Sequence, residues 1–169
     1  LEQLLEILAT SPFLGEIIIA EPDVWESIRR GGGRPEKRES LRDVLRSEVG
    51  DSLDSSFVMH KLRHFKRREI LRVAYGDIVK QQRLETVVDQ ISAIAECVID
   101  EALRVVYLQQ QQRRGSPLTT DGHPATIAVL ALGKLGGNEL NYSSDVDLIF
   151  CYSGDGDVAG SKTCTTGEF

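Results

Sequence analysis

Late in the chain the apolar residues change their spacing, and that change limits the folds open to it. From Leu84 to about Gln112, Leu84, Val87, Val88, Ile91, Ala95, Val98, Ala102, Val105 and Val106 recur at helical spacing and make one stripe. A turn-rich linker follows, Arg113-Arg114-Gly115-Ser116-Pro117 and then Asp121-Gly122-His123-Pro124, with His123 placed in a loop. Beyond it the pattern is strand-like. Thr126 to Ala131 is a continuous apolar, β-branched run, and Asp145 to Tyr152 reads as a second strand. The expectation is therefore helices up to about Gln112 and strands only within Thr126 to Tyr152. That is an α+β chain, with a helical region over residues 1–115 and the start of an α/β unit over 116–169.

The first hundred residues divide at local signals. Leu1, Leu4, Leu5 and Leu8 share a face of a short helix ending near Ala9. Ser11-Pro12 supplies an N-cap and a first-turn proline for a helix through Ile19, and Pro22 starts another with Val24, Trp25 and Ile28 inward. Gly31-Gly32-Gly33-Arg34-Pro35 reads as a flexible linker. Ser40 with Asp43 resembles a capping box opening a helix over about Leu41 to Glu48, and the polar break from Asp51 to Ser56 offers further caps. A long helix then runs from Phe57 to about Lys80 on Val58, Leu62, Phe65, Val73 and Ile78.

Composition narrows the class. Hydrophobic residues at 41% and charged residues at 27% describe a soluble globular protein. No apolar run approaches the roughly 20 residues that span a bilayer, and the amphipathic opening with Glu2 and Glu6 is not a signal peptide. Leu1 in place of Met reads as a trimmed or partial chain. Cys97, Cys151 and Cys164 lack framework spacing, so they are read as reduced thiols of a cytoplasmic protein. A net charge of −6 argues against bulk nucleic-acid binding.

One helix departs from that charge balance. Lys61, Arg63, Lys66, Arg67, Arg68 and Arg72 face a single acid, Glu69. Two readings stand for this stretch: a solvated basic face, or a face that meets an anion such as nucleotide phosphate or an acidic partner. His60 and His64 lie four apart, but with no third ligand nearby they are read as surface histidines.

The chemistry concentrates between Leu132 and Phe150, L-G-K-L-G-G-N-E-L-N-Y-S-S-D-V-D-L-I-F. Gly133, Gly136 and Gly137 break the first strand into a turn whose backbone N–H groups could face phosphate oxygens. On a strand, Asp145 and Asp147 would share one face and Val146 would enter the core. Paired carboxylates suit a hard cation such as Mg2+, which binds through one or two carboxylates plus substrate phosphates. The expected site is Asp145 and Asp147 as catalytic metal ligands, with Gly133, Lys134, Gly136, Gly137 and Ser144 on the nucleotide. Gly137 is expected to exclude any side chain.

The order strand, glycine turn, short helix and Ser-Asp-x-Asp resembles the nucleotidyltransferase superfamily, the fold of DNA polymerase beta. The wording Gly133-Lys134-Leu135-Gly136-Gly137-x-Glu139-Leu140-Asn141-Tyr142-Ser143-Ser144-Asp145-x-Asp147-Leu148 resembles the glutamine synthetase adenylyltransferase family. Ser11-Pro12-Phe13-Leu14 and the arginine-rich Leu62 to Arg72 helix resemble the same family. The resemblance implies a bifunctional enzyme that adds AMP to a tyrosine of glutamine synthetase and removes it. It implies Mg2+, with ATP or ADP as nucleotide, and glutamine synthetase and the PII regulatory protein as partners. Residues 116–169 would then be the N-terminal part of a nucleotidyltransferase domain, cut before a third carboxylate, and silent alone. The Glu139 to Ser144 wording is more like the N-terminal half, which removes AMP by phosphorolysis. Two alternatives are another nucleotidyltransferase, such as a PII uridylyltransferase, and a non-catalytic helical module that binds a partner. The former usually reads Gly-Arg-Gly-Glu-Leu at its glycine turn, unlike Lys134 to Gly137.

Overall fold

The computed structural model describes residues 2–159 and 165–169. Leu1, Gly160 and Cys164 lie outside these. Ser11 caps α2 as its spacing predicts, its hydroxyl accepting from the Leu14 N–H at 3.4 Å, so the chain opens as α1 (Glu2–Thr10), α2 (Pro12–Ala20) and α3 (Pro22–Gly31). Then come α4 (Arg38–Val49), α5 (Ser55–Ala74), a π-helical turn (Tyr75–Val79) and α6 (Leu84–Arg114). Asp54 caps α5, accepting from the Phe57 N–H at 2.7 Å. After α6 the elements are short: β1 (Ser116–Pro117), β2 (Ile127–Ala131), α7 (Gly133–Gly136), β3 (Leu148–Tyr152) and β4 (Val158–Ala159). β2 and β3 pair antiparallel with Ile127 opposite Tyr152 and Ala131 opposite Leu148, and β1 pairs antiparallel with β4. Helices with two small antiparallel sheets fit the α+β class. Among the described residues no helix is long and apolar enough to cross a membrane.

The core sits where α4, α5 and α6 meet. Leu41, Leu45 and Val49 from α4 pack with Val58, Leu62 and Phe65 from α5 and with Val87, Ile91 and Ile94 from α6. A charged cluster joins the same helices. Buried Glu69 accepts from Arg68 Nε at 3.0 Å and from Arg72 Nε at 2.6 Å, while Arg68 also reaches Glu48 and Arg72 reaches Gln90 Oε1. Gln90 in turn pairs with the backbone of Glu36 through both its amide oxygen and its amide nitrogen. Such a cluster is tolerable in a core because each charge keeps a hydrogen-bonded partner.

Several expectations change. Strands are not confined to Thr126 to Tyr152, because Ser116–Pro117 pairs with Val158–Ala159 across a long stretch of sequence. No strand occurs among the described residues of the first hundred. Ser40 and Asp43 form no capping box: α4 starts earlier, at Arg38, whose guanidinium meets Glu96 on α6 at 2.5 Å. In α1 it is Ile7 that is buried, while Leu5 and Leu8 are exposed. Leu84 and Val106 leave the α6 stripe for solvent. The glycine triplet is no tether either. Gly31 ends α3, Gly32 caps it at φ +72°, and Gly33 is buried at φ +64°. A Cβ on Gly33 would stand 2.8 Å from both Gly76 N and Tyr75 Cδ1, so the backbone is pressed against the π-helical turn.

Candidate active site

β2 delivers the chain to the site. At its end Leu132 donates its N–H to the Asp147 carbonyl at 2.9 Å, which joins the glycine turn to the Asp-x-Asp segment. Gly133 then turns at φ +56° into α7, and Asp147 Oδ2 lies 3.7 Å from where a Cβ on Gly133 would stand. Gly136 closes onto the strand it follows, since a Cβ there would sit 2.5 Å from the Ala131 carbonyl oxygen. Gly137 is roomier, its nearest would-be neighbours being 3.7 Å away. The protein's own atoms therefore exclude a side chain at Gly136, not at Gly137. Asn138 takes the left-handed conformation at φ 57°, which Asn tolerates better than most residues. Lys134 is exposed, and its carbonyl accepts from the Glu139 N–H at 2.7 Å.

Two buried leucines and two hydroxyls hold this segment to the helices. Leu135 and Leu140 belong to the main core. The Leu140 N–H donates to Ser92 Oγ on α6 at 3.1 Å, while that hydroxyl donates to the Val88 carbonyl at 2.8 Å. Tyr142 donates its hydroxyl to Asp77 Oδ2 of the π-helical turn at 3.1 Å. Burial of that hydroxyl, and then the Asp77 charge, push the phenol pKa well above its ordinary value. Asn141 organises the turn after it: its side-chain oxygen accepts from the Ser143 N–H at 3.2 Å and from Ser144 Oγ at 2.6 Å. The Ser144 hydroxyl is thus already engaged within the turn.

Asp145 and Asp147 do not lie on a strand. β3 begins only at Leu148, because β2 stops at Ala131 and offers no further partner beyond the single Leu132 bond. The face-sharing argument from strand alternation consequently has no footing for this pair. Val146 is exposed and does not enter the core. Both carboxylates are exposed, and they suit a hard cation in kind. Among the described residues no group of three or more His, Cys, Asp or Glu side chains is placed to hold a metal. His64 is paired through Nε2 with Glu21 Oε2 at 2.9 Å, and its ring stacks near His60 with centroids 6.4 Å apart.

The basic helix splits its charges. Arg68 and Arg72 turn inward to Glu48 and Glu69, and the Lys61 ammonium sits 5.5 Å from the Phe57 ring centroid. Lys66 instead borders a cleft that Asp145 also lines. Ser92 and Asp77 lie outside the motif, and Tyr142 enters it only as part of its wording, with no contact assigned to it. Ser92 could have been found as the one hydroxyl inside Ile91-Ser92-Ala93-Ile94, a polar residue in the buried stripe that needs a partner. Asp77 carries no such signal, since its partner lies far along the chain.

The model of the glutamate-ammonia ligase adenylyltransferase family matches residues 1–169. The chain is 34% identical over 170 residues to the bifunctional glutamine synthetase adenylyltransferase/adenylyl-removing enzyme of Thioalkalivibrio sulfidiphilus (strain HL-EbGR7), covering 99% of this chain and 18% of that protein. It is 35% identical over 161 residues to the protein of the same name from Hahella chejuensis (strain KCTC 2396), covering 94% of this chain and 17% of the relative. The chain thus spans less than a fifth of the length of these relatives. With its glycine turn and its aspartates brought together by the Leu132 to Asp147 bond, and with all of residues 1–169 matched by the family model, this chain belongs to the glutamate-ammonia ligase adenylyltransferase family.

Proposed function

We propose that this chain contributes a nucleotidyl-transfer site that moves AMP to or from a tyrosine of glutamine synthetase, in the half that removes AMP by phosphorolysis. The observation that carries the reading is the Leu132 N–H bond to the Asp147 carbonyl, with the Asp147 carboxylate beside Gly133. A glycine turn lying against a carboxylate supports the reading, since backbone N–H groups and a metal-binding carboxylate both suit the charge of transfer at phosphorus. Asp145 and Asp147 would hold Mg2+, which when bound neutralises charge building on phosphoryl oxygens. Gly133, Lys134, Gly136 and Gly137 shape the turn that meets the nucleotide, ADP or ATP. Ser144 acts there by fixing the Asn141 turn that leads to Asp145. Removal of AMP makes a bond from phosphate oxygen to the AMP phosphorus, breaks the bond to the tyrosine oxygen, and releases ADP and the phenol, the proton of hydrogen phosphate passing to the tyrosine oxygen. In this reading residues 1–115 are a helical region, 116–169 begin the nucleotidyltransferase domain, PII is the regulatory partner, and the protein works in the cytoplasm without nucleic acid or membrane.

The test uses the complete protein. Asp147→Asn should abolish ADP release from AMP-modified glutamine synthetase incubated with phosphate and Mg2+, and leave the opposite activity largely intact. Retention of both activities with Asp145 and Asp147 replaced together would place the chemistry elsewhere.

A further inference from the structure

A cleft of about 290 Å3 opens between α5, α6 and the segment carrying Asp145. Ile70, Ile91, Ile94 and Val98 supply an apolar wall, and Lys66 and Asp145 border the same space. We infer that this cleft seats the nucleoside part of an adenine nucleotide, and that Lys66 is the cationic contact for its phosphates. The inference rests on the transfer site proposed above and extends it to residues outside the glycine and aspartate motifs.

Three observations favour a nucleotide over other occupants. The volume lies just below the roughly 300 Å3 at which small-molecule pockets begin, so it suits one ring system with a sugar. A mostly apolar wall with a few polar groups is the usual lining of such a pocket. The charges are the third. On a helix whose Arg68 and Arg72 are consumed by carboxylates, Lys66 has no ion-pair partner among the described residues, and neither has Asp145. An ammonium and a carboxylate that border one cleft without pairing match a ligand that brings an anion together with a cation. An apolar side chain from a protein partner would leave both unused. The basic helix thereby has inward arginines that join helices and outward cations, Arg63 and Arg67 among them, of which Lys66 is the one that borders the cleft.

The experiment measures binding of ADP and of tripolyphosphate, which lacks base and sugar, to the complete protein in Mg2+ by titration calorimetry. Lys66→Met should weaken both ligands about tenfold, the loss expected for one charge-assisted contact, and Lys66→Arg should recover most of it. Ala95→Phe, which fills the cleft from α6, should weaken ADP and leave tripolyphosphate unchanged, so that tripolyphosphate binding reports a folded site. Undiminished binding in Lys66→Met, or equal loss of the two ligands in Ala95→Phe, overturns the inference. Asp147→Asn separates this from the underlying reading. If that variant loses transfer while the cleft variants bind normally, the transfer site stands and the cleft assignment falls. If it keeps transfer, the transfer site itself falls.

Discussion

The helical body and the site-bearing segment are built on opposite terms. In α4, α5 and α6, side chains such as Leu45, Phe65 and Leu71 are wholly enclosed. Across β2 and β3 no residue is fully buried, and Phe150 is 62% exposed. A residue of the body is fixed by many neighbours at once, each contact small. The segment is fixed by a few named attachments: Leu135, Leu140, Ser92 and the Tyr142 to Asp77 bond. Stability therefore resides in the body. Placement of the aspartates resides in the attachments.

The sharpest way to break that contrast is a pair of phenylalanine truncations. Phe65→Ala should cost about 3–5 kcal/mol by urea unfolding, and Phe150→Ala less than about 0.5 kcal/mol. Similar costs would erase the difference between the regions. Next in size, Glu69→Ala should cost about 3 kcal/mol, because it removes the buried carboxylate that Arg68 and Arg72 share, leaving Arg68 only Glu48 and Arg72 only neutral acceptors in a largely enclosed site. A smaller loss, about 1–2 kcal/mol, is expected for Ser92→Ala, which leaves the Leu140 N–H without its acceptor. Ser92→Thr should recover part of this, and a full global loss equal to Phe65→Ala would mean that the attachment is part of the body after all. The mildest probe is a thiol reagent at pH 8. Burial pushes the Cys97 thiol up to about 11, so at pH 8 it stays protonated and unreactive, whereas half-buried Cys151 on β3 is open to attack. Peptide mass mapping should find the label on Cys151 and not on Cys97. Equal labelling would show that the body opens as readily as the segment.

What the sequence disclosed follows the range of the forces. The Ser11 and Asp54 caps and the proline starts are set by neighbours within a turn or two and can be read from the residues, whereas the helical stripes are legible only in part, since Leu5, Leu8, Leu84 and Val106 face solvent. Ser40 misleads because α4 is extended by the Arg38 pairing with Glu96, a contact made only after α6 has packed. The glycine-to-aspartate block identifies the family by its wording, yet its alternation places Asp145 and Asp147 on a strand. Strand needs a partner, and β2 ends too soon to supply one. Val146 loses its core position for the same reason. The β1–β4 pair and the Asp77 to Tyr142 bond join residues far apart in the chain, and neither pattern nor propensity carries such information.

Gly33 carries a consequence for how this chain can change over generations. A run of three glycines is where insertions are usually tolerated, since a longer tether costs little. Here the third glycine is wedged against Tyr75 and Gly76, and the Gln82 amide donates to its carbonyl at 2.9 Å. The next residue but one after Tyr75 is Asp77, which holds Tyr142 beside the aspartates. An added residue at Gly32 or Gly33 would therefore not lengthen a spacer. It would shift the seating of the π-helical turn, and lineages that vary this stretch would have to vary it in length-preserving ways or compensate at Tyr75 to Gln82.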